Sequence, residues 1–177
     1  MQVTIVSGTN RPNNLSIKVA GRCREILSSQ GITAELLDLA MLPREIAFDY
    51  LGDPALNGFL PYQQLVDRTT HFIFVAPEYN GSIPGILKIF IDACDYPGSF
   101  RGKSAALVGI AAGKNGNARG LNHLQDILTY FGMEVFAEKV TVGQIREKLA
   151  PEGGFRDEMA DESLRSMLFE YARNLKG

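Results

Sequence analysis

Pro77-Glu78-Tyr79-Asn80-Gly81-Ser82-Ile83-Pro84-Gly85 is the stretch that decides the fold class of this chain. The apolar run His71-Phe72-Ile73-Phe74-Val75-Ala76 leads into it. A short run of this kind, bounded by turn residues, reads as a strand buried on both faces of a parallel sheet. A helical pattern follows, from Ile83 and Pro84 to about Tyr96. The unit is therefore strand, glycine-containing turn, helix. In an open α/β sheet, ligands sit outside the carboxyl ends of the strands, where such turns lie. Pro77 and Gly81 restrict the backbone there, and Glu78, Tyr79 and Asn80 offer chemistry.

Working outward, the same alternation recurs. Val3 to Val6 reads as a strand, Leu15 to Ser29 as an amphipathic helix ended by Gly31, and Thr33 to Leu39 as a strand. Residues 40–57, with Pro43, Gly52, Pro54 and Asn57, form a connection long enough to be functional or to carry a short helix of its own. A helix from Gly58 to Thr69 precedes the strand at His71. Beyond Tyr96 come a strand at Ser104 to Ile110, a helix at Ala118 to Phe131, and a strand at Glu134 to Thr141. A loop with Pro151, Gly153 and Gly154 leads to a last helix, Glu158 to Leu175.

Alternating strands and helices call for a parallel sheet with helices on both faces. Five strands favour the flavodoxin-like order 2-1-3-4-5, whose switch point lies between strands one and three. The loops after strands one, three and four should then carry the site. The loop after strand five looks ordinary.

Composition narrows the function classes. A length of 177 residues suits one domain over residues 1–177, with 45% hydrophobic and 21% charged residues. Net charge is −2, without a basic run, which speaks against nucleic acid. No stretch approaches membrane-span length and no signal peptide precedes the first strand, so the cytoplasm is the expected compartment. Two cysteines and two histidines make a metal cluster unexpected. Cys23 and Cys94 fall on apolar helix faces, His71 opens a strand, and His123 sits on a helix.

The first loop, Ser7-Gly8-Thr9-Asn10-Arg11-Pro12-Asn13-Asn14-Leu15-Ser16, gathers hydroxyls, amides and one guanidinium at a helix N-terminus. Free N–H groups and the helix dipole attract phosphate there, and Arg11 can add a charge-assisted bond. Plain helix capping by Asn14 or Ser16 is the competing reading. No G-x-G-x-x-G follows strand one, which disfavours a dinucleotide fold. Gly98-Ser99-Phe100-Arg101-Gly102-Lys103-Ser104 is one residue short of a P-loop and precedes a strand rather than a helix, so it is a decoy. A phosphate loop without diphosphate-binding glycines, on this sheet order, suits FMN.

These residues resemble the NADPH-dependent FMN reductase family of flavodoxin-like proteins. The resemblance rests on Pro77 through Lys88 with Ile91-Asp92, on Gly8-Thr9-Asn10-Arg11 with Ser16, and on Ala112-Gly113 through Gly116. It implies that Thr9, Arg11, Asn14, Leu15 and Ser16 surround the FMN phosphate. It also implies that Pro77, Glu78, Tyr79, Asn80 and Gly81 line the flavin ring, with Ala112 and Gly113 near the pyrimidine end or ribityl chain. Three positions depart from the family pattern: Asn10 replaces an apolar residue, Ala111 a serine, and Asn117 a second glycine.

The resemblance implies hydride transfer from NADPH to the flavin N5 and onward to a small-molecule acceptor: a quinone, azo compound, metal ion or oxygen. No catalytic acid or base is assigned, and Glu78 is expected to brace its loop. Other readings are an enzyme that releases reduced FMN to a partner, a flavodoxin-type electron carrier, and an FMN-binding sensor. The helix from Pro84 to Tyr96 carries apolar residues over more of its surface than a sheet needs. Together with the resemblance, this predicts a homodimer or homotetramer through that helix, with Ile89 and Phe90 outward.

Overall fold

The computed structural model describes residues 2–54, 58–152 and 154–174. Five parallel strands form one sheet in the order 2-1-3-4-5. They are β1 (Val3–Ser7), β2 (Ala34–Asp38), β3 (His71–Pro77), β4 (Ser104–Ile110) and β5 (Glu134–Val142). The flavodoxin-like expectation is met.

The central strands read as unbroken apolar runs because both of their faces are covered. Side chains alternate across the sheet, so Phe72, Phe74 and Ala76 enter one core and Ile73 and Val75 the other. The second core lies under α1 (Ser16–Ser28) and α6 (Glu158–Asn174), through Val19, Cys23, Leu27, Leu164 and Leu168. The first lies under α2 (Leu60–Arg68), α3 (Gly85–Ala93) and α4 (Ala118–Tyr130). The buried residues of α1 are Ser16, Val19, Ala20, Cys23, Ile26 and Leu27, as its amphipathic reading requires.

Register sets the site. Ser7 lies beside Val75, Pro77 beside Ile110, and Ile110 beside Val142. The chain therefore leaves β1, β3, β4 and β5 at one edge of the sheet. Between β4 and β5 the pairing slips: Ala105 opposes Val135 and Leu107 opposes Lys139.

Several sequence expectations shift. The connection after β2 carries two short 3-10 turns, Leu39–Met41 and Arg44–Ala47; Asn57 lies outside the described residues. A short helix, α5 (Ile145–Lys148), follows β5 and was not anticipated. Gly153 and Leu175 also lie outside the described residues. Helix α3 stops at Ala93 rather than Tyr96, in keeping with Pro97, which disfavours helical geometry at the residue before it.

The apolar excess of α3 is covered within the chain. The two 3-10 turns pack on it, placing Leu39, Leu42 and Ile46 in one cluster with Ile86, Leu87 and Phe90. The Phe59 ring meets Phe90 edge-on, with centroids 6.1 Å apart. Phe90 is fully buried, not outward, and Ile89 is half-buried. Leu39, Leu42, Ile46 and Phe59 thus cover part of the apolar surface of α3. Among the described residues, no helix is long and apolar enough to cross a membrane.

Candidate flavin site

The loop after β1 is rigidly built. Gly8 N–H donates to Val75 C=O at 2.9 Å, tying the loop to β3. Thr9 is 1% exposed; its Oγ1 shares a 2.8 Å hydrogen bond with the Tyr79 hydroxyl and accepts from Arg11 N–H at 3.2 Å. Asn14 caps α1, with Oδ1 accepting from Ile17 N–H at 2.9 Å and Nδ2 donating to Arg11 C=O at 3.0 Å. The capping reading therefore holds for the Asn14 side chain.

Ser16 differs. Its hydroxyl is buried with no hydrogen-bond partner among the described residues. A buried hydroxyl left unsatisfied costs about 1–3 kcal/mol, so it marks a place where a polar group belongs. It stands in the first turn of α1, where backbone N–H groups lack intrahelical acceptors and the dipole favours an anion.

The loop after β3 works through its main chain. Tyr79 and Ser82 exchange backbone hydrogen bonds of 2.9 and 3.1 Å. Asn80 and Gly81 make the reversal between them, with φ of 51° and 77°. Such turns favour Asn-Gly because both central residues need positive φ. Glu78 N–H donates to Ile110 C=O at 2.9 Å. The Glu78 side chain is exposed and makes no hydrogen bond among the described residues, so the bracing expected of it falls instead to Tyr79 and Asn117.

Asn117, the departure from glycine, keeps the backbone that glycine would adopt: its φ is 67°. Asn tolerates this region because its short polar side chain can bond locally. Here Nδ2 donates to Ala76 C=O at 3.0 Å, clamping the loop after β4 to the residue before Pro77. At Gly116, a Cβ would sit 2.5 Å from Val142 N, so that loop lies hard against the end of β5.

These loops enclose a cavity of about 420 Å³, within the usual range of about 300–1,000 Å³ for small-molecule sites. Of the residues expected to bind, Thr9, Arg11, Asn14, Leu15, Ser16, Pro77, Glu78, Tyr79 and Ala112 line it. Asn80, Gly81 and Gly113 do not. Gly81 lines a second cavity instead, and the exposed Gly113 accepts from Gln144 N–H through its carbonyl at 2.9 Å.

The loop after β5 is not ordinary: Ile145 and Arg146 complete the first cavity. The signal for Arg146 was faint, a lone cation just beyond a strand end. Arg11 and Arg146 form no ion pair among the described residues, and each offers a charge to an anion.

Neither cysteine nor histidine lines this cavity. Burial pushes the Cys23 thiol up to about 12 and raises Cys94 as well, so both stay protonated core residues. His123 is exposed and shares a 2.9 Å hydrogen bond with Ser82 Oγ through Nδ1. Gly98–Ser104 leads into β4 rather than a helix, and Lys103 Nζ donates to Val66 C=O at 2.7 Å.

The residues present fit FMN. An orphaned hydroxyl, a helix N-terminus and two free guanidinium groups answer a phosphate, and a main-chain-lined wall answers a planar ring. Sheet order and site together define an FMN-dependent oxidoreductase of flavodoxin-like fold. The chain belongs to the NADPH-dependent FMN reductase family, whose model matches residues 1–147.

It is 29% identical over 157 residues to an NAD(P)H-dependent FMN reductase of Pseudomonas aeruginosa, covering 83% of this chain and 82% of that protein. An NAD(P)H:quinone oxidoreductase of Solanum tuberosum is 28% identical over 167 residues, covering 88% and 82%. The fold is similar to that of the flavoenzyme NAD(P)H:(acceptor) oxidoreductase of Paracoccus denitrificans, with TM-score 0.75, 23% identity, and coverage of 96% of this chain and 94% of that one.

Proposed function

We propose that this enzyme holds FMN in the first cavity and passes electrons from NAD(P)H to quinones, with azo compounds, metal ions and oxygen as lesser acceptors. The observation that carries the reading is the unpartnered Ser16 hydroxyl, buried in the first turn of α1 beside the free Arg11. That arrangement suits a phosphate monoester, whose oxygens accept from both groups.

Bound FMN supplies the hydride acceptor. The protein's own residues bind and orient it. Ser16, Arg11 and the first-turn amides hold the phosphate, and Pro77 to Tyr79 form the wall for the ring. The Tyr79–Thr9 bond keeps that wall in register with the phosphate loop. Preorganised main-chain groups stabilise developing charge without a titrating side chain. Quinone acceptors are favoured by the names of several relatives and by a cavity with apolar walls at Ile110, Ala111 and Ile145.

A second reading makes FMN a dissociating substrate whose reduced form is released. The exposure of Arg11, and the commitment of the Thr9 and Asn14 side chains within the protein, favour it. Steady-state NADPH oxidation by the purified protein, with and without added FMN and across quinone, azo and ferric acceptors, tests both. Yellow protein turning over quinones without added FMN is expected. Colourless protein whose rate follows added FMN would favour the second reading. No NAD(P)H oxidation under either condition would overturn both.

A further inference from the structure

Arg11 and Arg146 are the only cations that line the first cavity, and they come from the loops after β1 and β5. Across the sheet, three strand spacings of about 4.8 Å separate β1 from β5. Arg146 is exposed and makes no ion pair among the described residues. The same holds for Arg24 and Arg101, so charge alone does not make a site. What sets Arg146 apart is how firmly its backbone is placed.

Its neighbour Ile145 is buried in the core shared with Val19 of α1, and Leu15 packs against that same core. Ile145 N–H donates to Ala111 C=O at 3.0 Å and Gln144 N–H to Gly113 C=O at 2.9 Å, so the loop after β5 is bonded to the loop after β4. A Cβ on Gly143 would collide with the Lys114 carbonyl oxygen, which leaves the two loops no slack. Beyond Arg146, Lys18 Nζ of α1 donates to Pro151 C=O at 2.7 Å, and Lys148 pairs with Asp157 at 3.3 Å. The family model ends at residue 147, so Pro151 and Asp157 lie beyond it. The chain leaving β5 is thereby drawn back against α1, the helix whose first turn holds the unpartnered Ser16 hydroxyl. Glu78, the one carboxylate in the lining, comes from the loop after β3.

We infer that Arg146 is a second phosphate ligand for FMN, supplied by the loop after β5, and that it decides whether FMN stays bound between turnovers. This rests on the flavin reading of the first cavity and adds to it a residue outside the three loops expected to bind. A phosphate monoester carries about −1.5 to −2 at neutral pH, more than one guanidinium neutralises, and three of its oxygens are strong acceptors. Arg11, in the loop before α1, and Arg146, seated against α1, can each give it two parallel N–H bonds. The Ser16 hydroxyl supplies a further donor. The Thr9 and Asn14 side chains are committed within the protein. Retention of the phosphate then falls to the two guanidinium groups.

The test titrates flavin-free protein with FMN and with riboflavin by calorimetry. Arg146→Gln should weaken FMN about tenfold, as expected of a charge-assisted bond at an exposed site, and leave riboflavin within about twofold. Arg146→Lys should recover part of the loss, since an ammonium keeps the charge but not the fork. Arg156→Gln, an exposed cation of the same segment that does not line the cavity, controls for net charge and should change neither affinity. On gel filtration of FMN-loaded protein, the parent should keep its flavin and Arg146→Gln should lose most of it.

Both substituted side chains are exposed, so the fold should persist, and thermal melts of the flavin-free protein check that. Unchanged FMN affinity in Arg146→Gln, or an equal loss for riboflavin, overturns the inference while leaving the flavin reading intact. So does equal loss of flavin from parent and variant on gel filtration. A parent protein that binds neither flavin overturns the flavin reading, and the role of Arg146 with it.

Discussion

The loops after β1 and β3 solve different problems with different materials. In the proposed function the first recognises phosphate through side chains and a helix end. Thr9 and Asn14 are consumed in building it, the buried Ser16 hydroxyl is left without a partner among the described residues, and Arg11 is left exposed. The second, in the same proposal, recognises the ring through its backbone. Asn80 and Gly81 reverse the chain, and Glu78, its most reactive-looking side chain, bonds to nothing within the described residues. A phosphate loop must supply charge and donors, which side chains and a dipole can do. A ring wall must be flat and close, which a main-chain turn with glycine permits. One bond, Tyr79 to Thr9, joins the two.

The largest effect that could break this comparison concerns the phosphate. Riboflavin should bind hundreds of times or more weakly than FMN, because several charge-assisted bonds at about 1.5–3 kcal/mol each are lost. Calorimetry finding equal affinities would remove the phosphate role from the first loop altogether.

Next in size is Gly81→Val. At φ of 77°, a β-branched residue is strained by about 1–3 kcal/mol. The contact its Cβ would make is with the flexible end of Arg119, so the backbone conformation, not space, sets the cost. We expect flavin content and turnover to fall about tenfold or more. A variant that is fully loaded and active would show that the turn does not shape the ring wall.

Ser16→Ala sharpens the contrast by a difference of sign. Removing an unsatisfied buried hydroxyl should leave the flavin-free protein as stable as before or about 1 kcal/mol more stable, while FMN binding weakens by a similar amount. Thermal melts with and without FMN read both quantities. Loss of stability in the flavin-free form would mean that the hydroxyl serves the fold rather than the ligand.

The smallest effect should come from Tyr79→Phe, which removes the bond between the loops at about 0.5–1.5 kcal/mol. FMN affinity should drop a few-fold, and the loss should shrink when Thr9→Val is already present. A full, additive loss in the double variant would mean that the two side chains act separately.

The sheet order was legible because periodicity is a local property of the chain. Phe72 to Ala76 are apolar at every position since both faces of β3 are covered, and α1 repeats its buried residues at helical spacing. The turn at Asn80-Gly81 and the start of α1 at Asn14 were legible for a similar reason, since positive φ and helix starts demand particular residues. Asn117 shows the limit of that reading: it departs from the expected glycine yet adopts the same left-handed backbone.

What only the tertiary structure decided depends on neighbours distant in sequence. Leu39, Leu42, Ile46 and Phe59 pack on α3 and help bury Phe90, although the helix viewed alone displays an excess of apolar surface. Arg146, from a loop with no distinguishing sequence, completes the flavin cavity because β5 ends level with β4. Arg119 of α4 comes beside Gly81 only when the loop after β4 folds against the loop after β3. Sequence carries the propensity of each segment. Whether a hydroxyl is left without a partner, or a cation without a carboxylate, is settled by which segments the sheet brings to the same edge.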